Sequence, residues 1–251
     1  MSNNLPVIAF TLGDPGGNGP EIVLRTLDYF SSSYPFIPIV FGSEAIFDHP
    51  YLMPFINNKK IQQFTGDTNF EPNVLYFHNS YEMTNLVVKK PNKTNGEASH
   101  SYIVSAVKFI QEGLIDALVT APICKESFDL AKLPFTGHTT LLKKLTNVED
   151  VSMGFHTPKY DVVLATIHVP LKDVSSLITK ELLKKKIAHL IEFQKQIGKT
   201  NIRIGVAGLN PHAGENGMFG MEEKLIIKPF IDSGNFGENV IVTGPYSPDT
   251  L

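Results

Sequence analysis

The chain has 251 residues and a formal net charge of −3, from 22 lysine and arginine residues against 25 aspartate and glutamate residues. Hydrophobic residues make up 42% of it and charged residues 19%, which is typical of a chain that folds around a buried core. The weak acidity disfavours a nucleic-acid partner, the apolar runs fall short of the ~20 residues of a membrane helix, and a single cysteine, Cys124, excludes an internal disulfide. We therefore expect a cytoplasmic globular protein.

Apolar runs and amphipathic stretches alternate along the chain. The short apolar runs, each of which predicts a strand, are 6–12, 37–41, 74–77, 115–121, 161–167, 202–207 and 240–243. Apolar residues spaced i, i+3, i+4, i+7 predict a helix over 103–110 that ends at Gly113, and another over 183–191 that begins at Thr179 and ends at Gly198. Several strands are apolar throughout, as in a sheet that helices cover on both faces. The sequence therefore predicts an α/β fold.

The first strand leads into a glycine-rich loop, Gly13–Gly19, and then into a helix whose start is marked by Pro20 and Glu21. No lysine follows the loop as a Walker A motif requires, and Ile22 stands where a dinucleotide fingerprint requires glycine or alanine. Two interpretations remain. The loop is either a tight turn that needs glycine for its backbone angles or a turn whose N–H groups face an anion.

A second motif, Thr136-Gly137-His138-Thr139-Thr140, precedes a predicted helix over 141–145. Hydroxyls, an imidazole and the amides of a helix start suit a phosphate or carboxylate ligand. Capping by Thr139 or Thr140 would explain the threonines but not the Gly-His pair, so we interpret the motif as a binding site. Lys125 follows another strand end, where it either contacts an anionic ligand or is simply solvated.

Two histidines follow the ends of predicted strands. His168 comes directly after the strand 161–167, and His212 comes shortly after 202–207. Ligands collect at the carboxyl ends of strands in open α/β sheets, so the two histidines could share a metal ion. A structural hydrogen-bonding role explains either histidine equally well.

Six segments of the chain match one family in the family's own order. They are 11–22, 119–125, 134–139, 166–173, 208–215 and 244–251. Asn-Pro-His-Ala-Gly-Glu at 210–215 and Phe-Thr-Gly-His-Thr at 135–139 are specific, and together they make a chance match improbable. On these segments the chain resembles the 4-hydroxythreonine-4-phosphate dehydrogenase family of the vitamin B6 pathway.

The resemblance implies a two-domain α/β fold of the isocitrate and isopropylmalate dehydrogenase type. We expect the first domain at 1–125 and the second, with the metal-site histidines and the dimer surface, at 126–251. By composition 89–96 is the most linker-like stretch, which a surface loop explains equally well. Family members continue for several dozen residues beyond Leu251, so we expect a fold that is incomplete at the C-terminus.

The resemblance also implies a reaction. Members of the family oxidise 4-phosphooxy-L-threonine with NAD or NADP, and the product loses CO2 to give 3-amino-2-oxopropyl phosphate. They are homodimers with the site near the interface, and they use a divalent metal (Zn, Mg or Co). His168 and His212 match two metal ligands, and the third family ligand is absent from this chain. His138 and Thr139 match substrate-binding residues, whereas the catalytic residue is open, with Asp249 and Lys125 as candidates.

Other functions stay open. The missing family segment also supplies phosphate-binding residues and much of the cofactor site, so we expect this 251-residue chain to be inactive or poorly active. One alternative is a paralogous dehydrogenase of threonate or erythronate 4-phosphate, because the matched motifs do not specify the amino group at C2. Another is a non-catalytic remnant that binds a phosphorylated ligand.

Overall fold

A computed structural model of the chain describes residues 5–29, 36–50, 52–56, 59–66, 69–71, 74–84 and 86–250. The chain divides into two compact units, 1–149 and 150–251. This division lies beyond the expected domain boundary at residue 125. Two helices that begin at residues 125 and 138 pack within the first unit, as their apolar contacts show below.

In the described residues, the first unit contains a five-stranded sheet in which every pairing is parallel. Its strands are β1 (Val7–Thr11), β2 (Ile37–Gly42), β3 (Lys60–Gln63), β4 (Val74–Asn79) and β5 (Ala117–Thr120), in the order β3-β4-β2-β1-β5. The helices are α1 (Gly19–Tyr29), α2 (Lys93–Gln111), α3 (Lys125–Leu130) and α4 (His138–Leu145), with 3₁₀ turns at Glu44–Ile46 and Met53–Phe55. The predicted α/β class is confirmed.

The apolar residues of α2 belong to two separate hydrophobic clusters. In the larger one, β1, β2 and β4 pack with α1 and α2, for example through Phe41 and Tyr102, which are both fully buried. The smaller cluster brings together α2, α3 and α4 through Ile103, Val107, Phe128 and Leu141. Because α3 and α4 bury their apolar residues against α2, they belong to the first unit.

The second unit contains an antiparallel hairpin and a parallel pair of strands. The strands are β6 (Gly154–His156) with β7 (Asp161–Val163), and β8 (Ile202–Ala207) with β9 (Val240–Tyr246). Its helices are α5 (Val174–Leu177), α6 (Lys180–Gln196) and α7 (Lys228–Ser233), with short turns at Leu171–Asp173, Pro211–Gly217 and Glu223–Ile227, the last of them π-helical. Ile187 of α6 packs on Ile202 and Ile204 of β8, which holds the helix against the parallel pair.

The predicted helix ends are confirmed. Gly113 and Gly198 follow α2 and α6 with φ of +74° and +82°, the left-handed region that glycine adopts without strain. Thr179 caps α6, because its hydroxyl oxygen accepts a hydrogen bond from Leu182 N at 3.1 Å. No helix in the described part of the chain combines the length and the apolar composition that crossing a membrane requires.

Two sequence-based predictions are wrong. The predicted strand 161–167 ends at residue 163, because β7 pairs with only three residues of β6. The linker interpretation of 89–96 fails because α2 begins at Lys93, where the side chain of Asn92 accepts a hydrogen bond from Asn95 N at 2.9 Å. The short, largely exposed strands β3 and β6 were not predicted, since neither forms an apolar run.

The glycine-rich loop 13–19 is organised around a buried carboxylate. Asp14 is only 6% exposed, and its Oδ1 accepts hydrogen bonds from Gly16 N at 2.8 Å and from Asn95 Nδ2 of α2 at 3.0 Å. Its Oδ2 accepts a hydrogen bond from Ser127 Oγ of α3 at 2.9 Å. One side chain therefore ties the loop to two helices.

The backbone of this loop supports the tight-turn interpretation. Gly13 has φ of +67°, and a Cβ at this position would lie 2.2 Å from the carbonyl oxygen of Pro122, so only glycine fits. The N–H groups of Asp14, Gly16 and Gly17 donate to oxygens of Pro122 and Asp14. These three amides are therefore already used within the protein and do not face an anion.

We expect Asp14→Ala to destabilise the first unit by about 3 kcal/mol, because it leaves several buried donors without an acceptor. Urea denaturation followed by circular dichroism measures the loss. Asp129→Ala is the matched control, since it removes an exposed carboxylate of α3 and should change the free energy of unfolding by less than about 0.5 kcal/mol. Equal effects of the two substitutions would contradict the role assigned to Asp14.

Candidate functional site

The first group of predicted site residues lies at the start of α4 in the first unit. The helix begins at His138, earlier than predicted, and Gly137 precedes it in extended backbone with φ of 162°. Thr139 and Thr140 therefore lie in the first turn, and the capping interpretation is wrong because neither side chain caps the helix. Thr140 instead closes the preceding loop: its Oγ1 accepts from Thr136 N at 3.0 Å and donates to Gly137 O at 3.1 Å.

His138 has an unused nitrogen. Its ring donates a hydrogen bond to the backbone carbonyl of Ala121, and its Nε2 is buried with no hydrogen-bond partner in the described residues. Burial lowers the pKa of the ring, which favours the neutral form with its proton on Nδ1. Nε2 is then an acceptor that a hydroxyl or ammonium group of a ligand would satisfy.

Lys125, the first residue of α3, lies beside the start of α4. A Cβ built at Gly137 would lie 4.0 Å from Lys125 Cε, so the lysine side chain reaches the residue before His138. Both Lys125 and Thr139 are exposed. An ammonium group, a hydroxyl and the amino end of a helix are thus brought together, and all three favour an anion.

In the second unit, two predicted site residues, His212 and Asp249, lie in contact. Asp249 Oδ2 accepts a hydrogen bond from His212 N at 3.1 Å and lies 3.5 Å from His212 Nδ1. Ser247 Oγ donates to the same oxygen at 2.9 Å. The hydrogen bonds from the His212 amide and the Ser247 hydroxyl lower the pKa of Asp249 and keep it ionised. A carboxylate at Nδ1 is the usual partner of a histidine that binds metal through Nε2.

His212 opens a run of left-handed backbone. Residues 212–216 have φ between +42° and +81°, and Gly217 follows with +104°. The glycines adopt such angles readily, whereas each of the other residues carries roughly 1–2 kcal/mol of strain. A strained run of this kind persists only where the surrounding contacts determine it.

Contacts around this turn converge on Glu223, the first residue of the π-helical turn. Glu223 is only 4% exposed, and its two carboxylate oxygens accept hydrogen bonds from Asn210 N at 2.7 Å and from Asn210 Nδ2 at 2.9 Å. The neighbouring Glu222 accepts from the same Nδ2 at 2.9 Å and from the hydroxyl of Ser175. Two carboxylates thus fix Asn210, which stands two residues before His212.

Sequence analysis missed Glu223, although the chain holds a signal for it. Glu223 stands four residues before Ile227 and eight before Ile231, and these two isoleucines are buried in one cluster. It therefore occupies an apolar position of the helical stretch. Since acidic residues are rarely buried without a partner, a carboxylate at this position indicates a buried polar contact.

His168 lies in the same unit as His212, in an exposed position after β7, and has φ of +55°. A cavity of about 1110 Å³ is lined by residues 161–166, which lead to His168, and by residues 203–209, which lead to His212. The segments that precede the two histidines therefore border one cavity, but neither His168 nor His212 is among the residues that line it. Within the described residues, no group of three or more His, Cys, Asp or Glu side chains is placed to hold a metal ion.

Comparisons with curated proteins find relatives over the whole chain. The 4-hydroxythreonine-4-phosphate dehydrogenase of Desulforapulum autotrophicum is 35% identical over 265 residues, covering 100% of this chain and 75% of that protein. A Clostridium botulinum (strain Hall) protein, named provisionally as a D-threonate 4-phosphate dehydrogenase, is 33% identical over 256 residues, covering 100% of this chain and 76% of that protein. Both relatives are named as dehydrogenases of small phosphorylated acids.

Solved structures and a family model agree with these relatives. The crystal structure of 4-hydroxythreonine-4-phosphate dehydrogenase from Klebsiella pneumoniae matches with a TM-score of 0.87 and 29% identity, covering 100% of this chain and 76% of that one. The family model described as pyridoxal phosphate biosynthetic protein PdxA matches residues 36–251. The family resemblance seen in the sequence is thereby confirmed: the chain belongs to the PdxA family of pyridoxal phosphate biosynthetic proteins.

Proposed function

We propose that the chain oxidises 4-phosphooxy-L-threonine with NAD or NADP, with loss of CO2 to give 3-amino-2-oxopropyl phosphate, in the biosynthesis of vitamin B6. Membership of the PdxA family and the names of similar dehydrogenases support this activity. The structural observation that carries it is His138 Nε2, which has no hydrogen-bond partner among the described residues, on a helix start that the side chain of Lys125 reaches at Gly137. A neutral acceptor and a lysine at the same helix start match a substrate that has hydroxyl and ammonium donors together with a phosphate.

The start of α4 is the proposed phosphate site. Lys125 supplies a positive charge, and Thr139 supplies a hydroxyl in the first turn of the helix, whose partial positive charge adds to the attraction. His138 Nε2 accepts a hydrogen bond from the hydroxyl or the ammonium group of the substrate. The same three residues thereby orient both ends of a short phosphorylated acid.

His168 and His212 are the proposed ligands of a divalent cation, which is Zn, Mg or Co. Their donor chemistry fits, because the Asp249 carboxylate at Nδ1 of His212 leaves Nε2 to bind. A bound cation supplies Lewis-acid polarisation of the substrate hydroxyl and of the carbonyl formed from it. We assign Asp249 to positioning rather than to proton abstraction, since its lowered pKa makes it a weak base near neutral pH.

The proposed function also implies a domain arrangement and an oligomeric state for this chain. We infer the two-domain arrangement of the isocitrate and isopropylmalate dehydrogenase type, and a homodimer with its site near the interface. The division of the chain into two compact units supports the two-domain part of this proposal. Cys124 is free, which suits the reducing conditions of the cytoplasm.

D-Threonate 4-phosphate is a second candidate substrate. The provisional name of the Clostridium botulinum relative favours it. The two compounds differ at C2, which bears an amino group in one and a hydroxyl in the other. His138 Nε2 accepts a hydrogen bond from either group, so this residue does not discriminate between them.

We expect the purified chain, supplied with NAD and a divalent metal, to form NADH with a higher kcat/KM on 4-phosphooxy-L-threonine than on D-threonate or erythronate 4-phosphate. The absorbance of NADH measures kcat/KM on each substrate. A higher value on D-threonate or erythronate 4-phosphate would favour the paralogous dehydrogenase. The assay also tests the expectation of poor turnover by this chain. If turnover is too slow to rank the substrates, equilibrium binding of the same compounds ranks them, and binding of none would contradict the proposal.

We expect Lys125→Ala to weaken binding of 4-phosphooxy-L-threonine about 10- to 100-fold, because a charge-assisted hydrogen bond to phosphate contributes about 1.5–3 kcal/mol. Isothermal titration calorimetry measures the change. Lys143→Ala is the control, since this exposed lysine lies in the last turn of α4, away from the helix start. A similar loss in both variants would show general electrostatic attraction instead of a phosphate contact.

We expect the ring of His138 to titrate below the ordinary value of 6.5 in the ligand-free protein, because burial favours its neutral form. Its contribution to folding stability is fully present above pH 6.5 and is lost as the pH falls from there toward the lowered pKa. An NMR titration of the ring carbon resonances measures the pKa, with the urea-unfolded chain as reference. A midpoint at or above that of the reference would disprove the buried neutral state.

A further inference from the structure

Glu223 is a buried carboxylate whose only hydrogen bonds in the described part of the chain come from Asn210. No ion pair of the described residues includes it. Its charge is therefore balanced by the neutral donors of one residue, whose loss would leave the carboxylate buried without a partner. The two oxygens of Glu223 thus tie the position of Asn210 to the helical stretch that begins at residue 223.

The segment that carries His212 is shaped to fit this carboxylate. A Cβ built at Gly214 would lie 2.7 Å from Glu223 Oε2, and one built at Gly208 would lie 3.2 Å from Glu223 Oε1. Gly214 also has φ of +81°, so a side chain there would be strained as well as crowded. Two glycines on opposite sides of His212 in the sequence thus leave room for one carboxylate.

The main chain is fixed at three successive residues. Glu223 holds Asn210, the ring of Pro211 restricts its own φ, and Asp249 accepts from His212 N. The left-handed run begins at the last of these residues. These contacts on both sides of Pro211 hold the strained run together with the turn's own hydrogen bonds, from Met218 N to Glu215 O and from Phe219 N to Gly214 O, both at 3.2 Å.

We propose that Glu223 is a positioning residue for His212: through Asn210 it holds the left-handed turn that presents His212 Nε2 to a divalent cation. The inference rests on the proposed function, because it takes His212 as a metal ligand. Its physical basis is preorganisation. A ligand already fixed in its binding conformation loses little conformational freedom when the ion binds, and this raises the affinity.

The test is the substitution Glu223→Gln in the 251-residue chain, with Co²⁺ as the probe. Glutamine has about the same volume, but it offers one oxygen where the carboxylate offers two, and its NH2 group then faces a donor of Asn210. We expect Co²⁺ to bind 10- to 100-fold more weakly than to the wild type, as is usual when a residue supporting a metal ligand is changed. Competition with a chromophoric chelator measures the affinity.

A second readout needs no metal. Hydrogen exchange of the metal-free protein, followed by mass spectrometry, reports on the amides of the turn. We expect peptides covering 208–219 to exchange at least about tenfold faster in Glu223→Gln, while peptides from α6 keep the wild-type rate. Asn210→Ala removes the side-chain amide that donates to Glu223 but keeps the main-chain hydrogen bond, so we expect faster exchange of the same peptides by a smaller factor.

Ile231→Ala is the matched control for a merely structural role. It truncates a buried side chain of the same helical stretch and leaves the contacts of Asn210 in place. All measurements are made well below the unfolding temperature of every variant. We expect Ile231→Ala to lower the unfolding temperature but to keep the wild-type affinity for Co²⁺ and the wild-type exchange of 208–219.

The outcomes separate this inference from the proposed function. Co²⁺ binding that is lost in His212→Ala but unchanged in Glu223→Gln would overturn the positioning role and leave the metal site standing. Wild-type protein that binds no Co²⁺, or binds it as well in His212→Ala, would overturn the metal site and the inference with it. Weaker binding in Ile231→Ala to the same degree as in Glu223→Gln would assign Glu223 to stability alone.

Discussion

Burial of a carboxylate among neutral donors is the constraint on which both glycine-rich segments depend. In the described residues, Asp14 and Glu223 are the most deeply buried acidic side chains, at 6% and 4% exposure. Each carboxylate accepts hydrogen bonds from a main-chain N–H and from an asparagine side chain. For Asp14 these donors belong to Gly16 and Asn95, and for Glu223 both belong to Asn210. Since an ionised group in the interior is strongly destabilised without such donors, carboxylate and loop stabilise each other.

The glycines of the two segments follow from this arrangement. A Cβ at Gly16 would lie 2.4 Å from Asn95 Nδ2, and one at Gly214 would lie 2.7 Å from Glu223 Oε2. Both segments follow strands of parallel pairs, at the end of the sheet where ligands bind in α/β proteins. The two segments differ in what they offer to a ligand. The first loop uses the amides of Asp14, Gly16 and Gly17 within the protein, whereas the second leaves the side chain of His212 exposed.

Periodicity predicted four of the five strands of the parallel sheet and both long helices, because their apolar positions and caps lie close together in sequence. The end of β7 could not be predicted, since it depends on how many residues of β6 pair with it. The contact of His212 with Asp249 joins residues 37 positions apart, which no local spacing reveals. The left-handed run was equally hidden, because the contacts with Glu223 and Asp249 that help to hold it come from residues distant in sequence.

In stereochemical terms, the run at 212–217 is close to the mirror image of a turn that ordinary L-residues favour. D-amino acids would adopt it without strain. A semisynthetic chain with D-alanine at position 213 would therefore hold the turn through its own chirality and would need less help from its surroundings. In the natural chain, by contrast, the placement of His212 depends on side chains that lie before it and well after it in sequence. The left-handed conformation is the reason, because L-residues need such contacts to keep it.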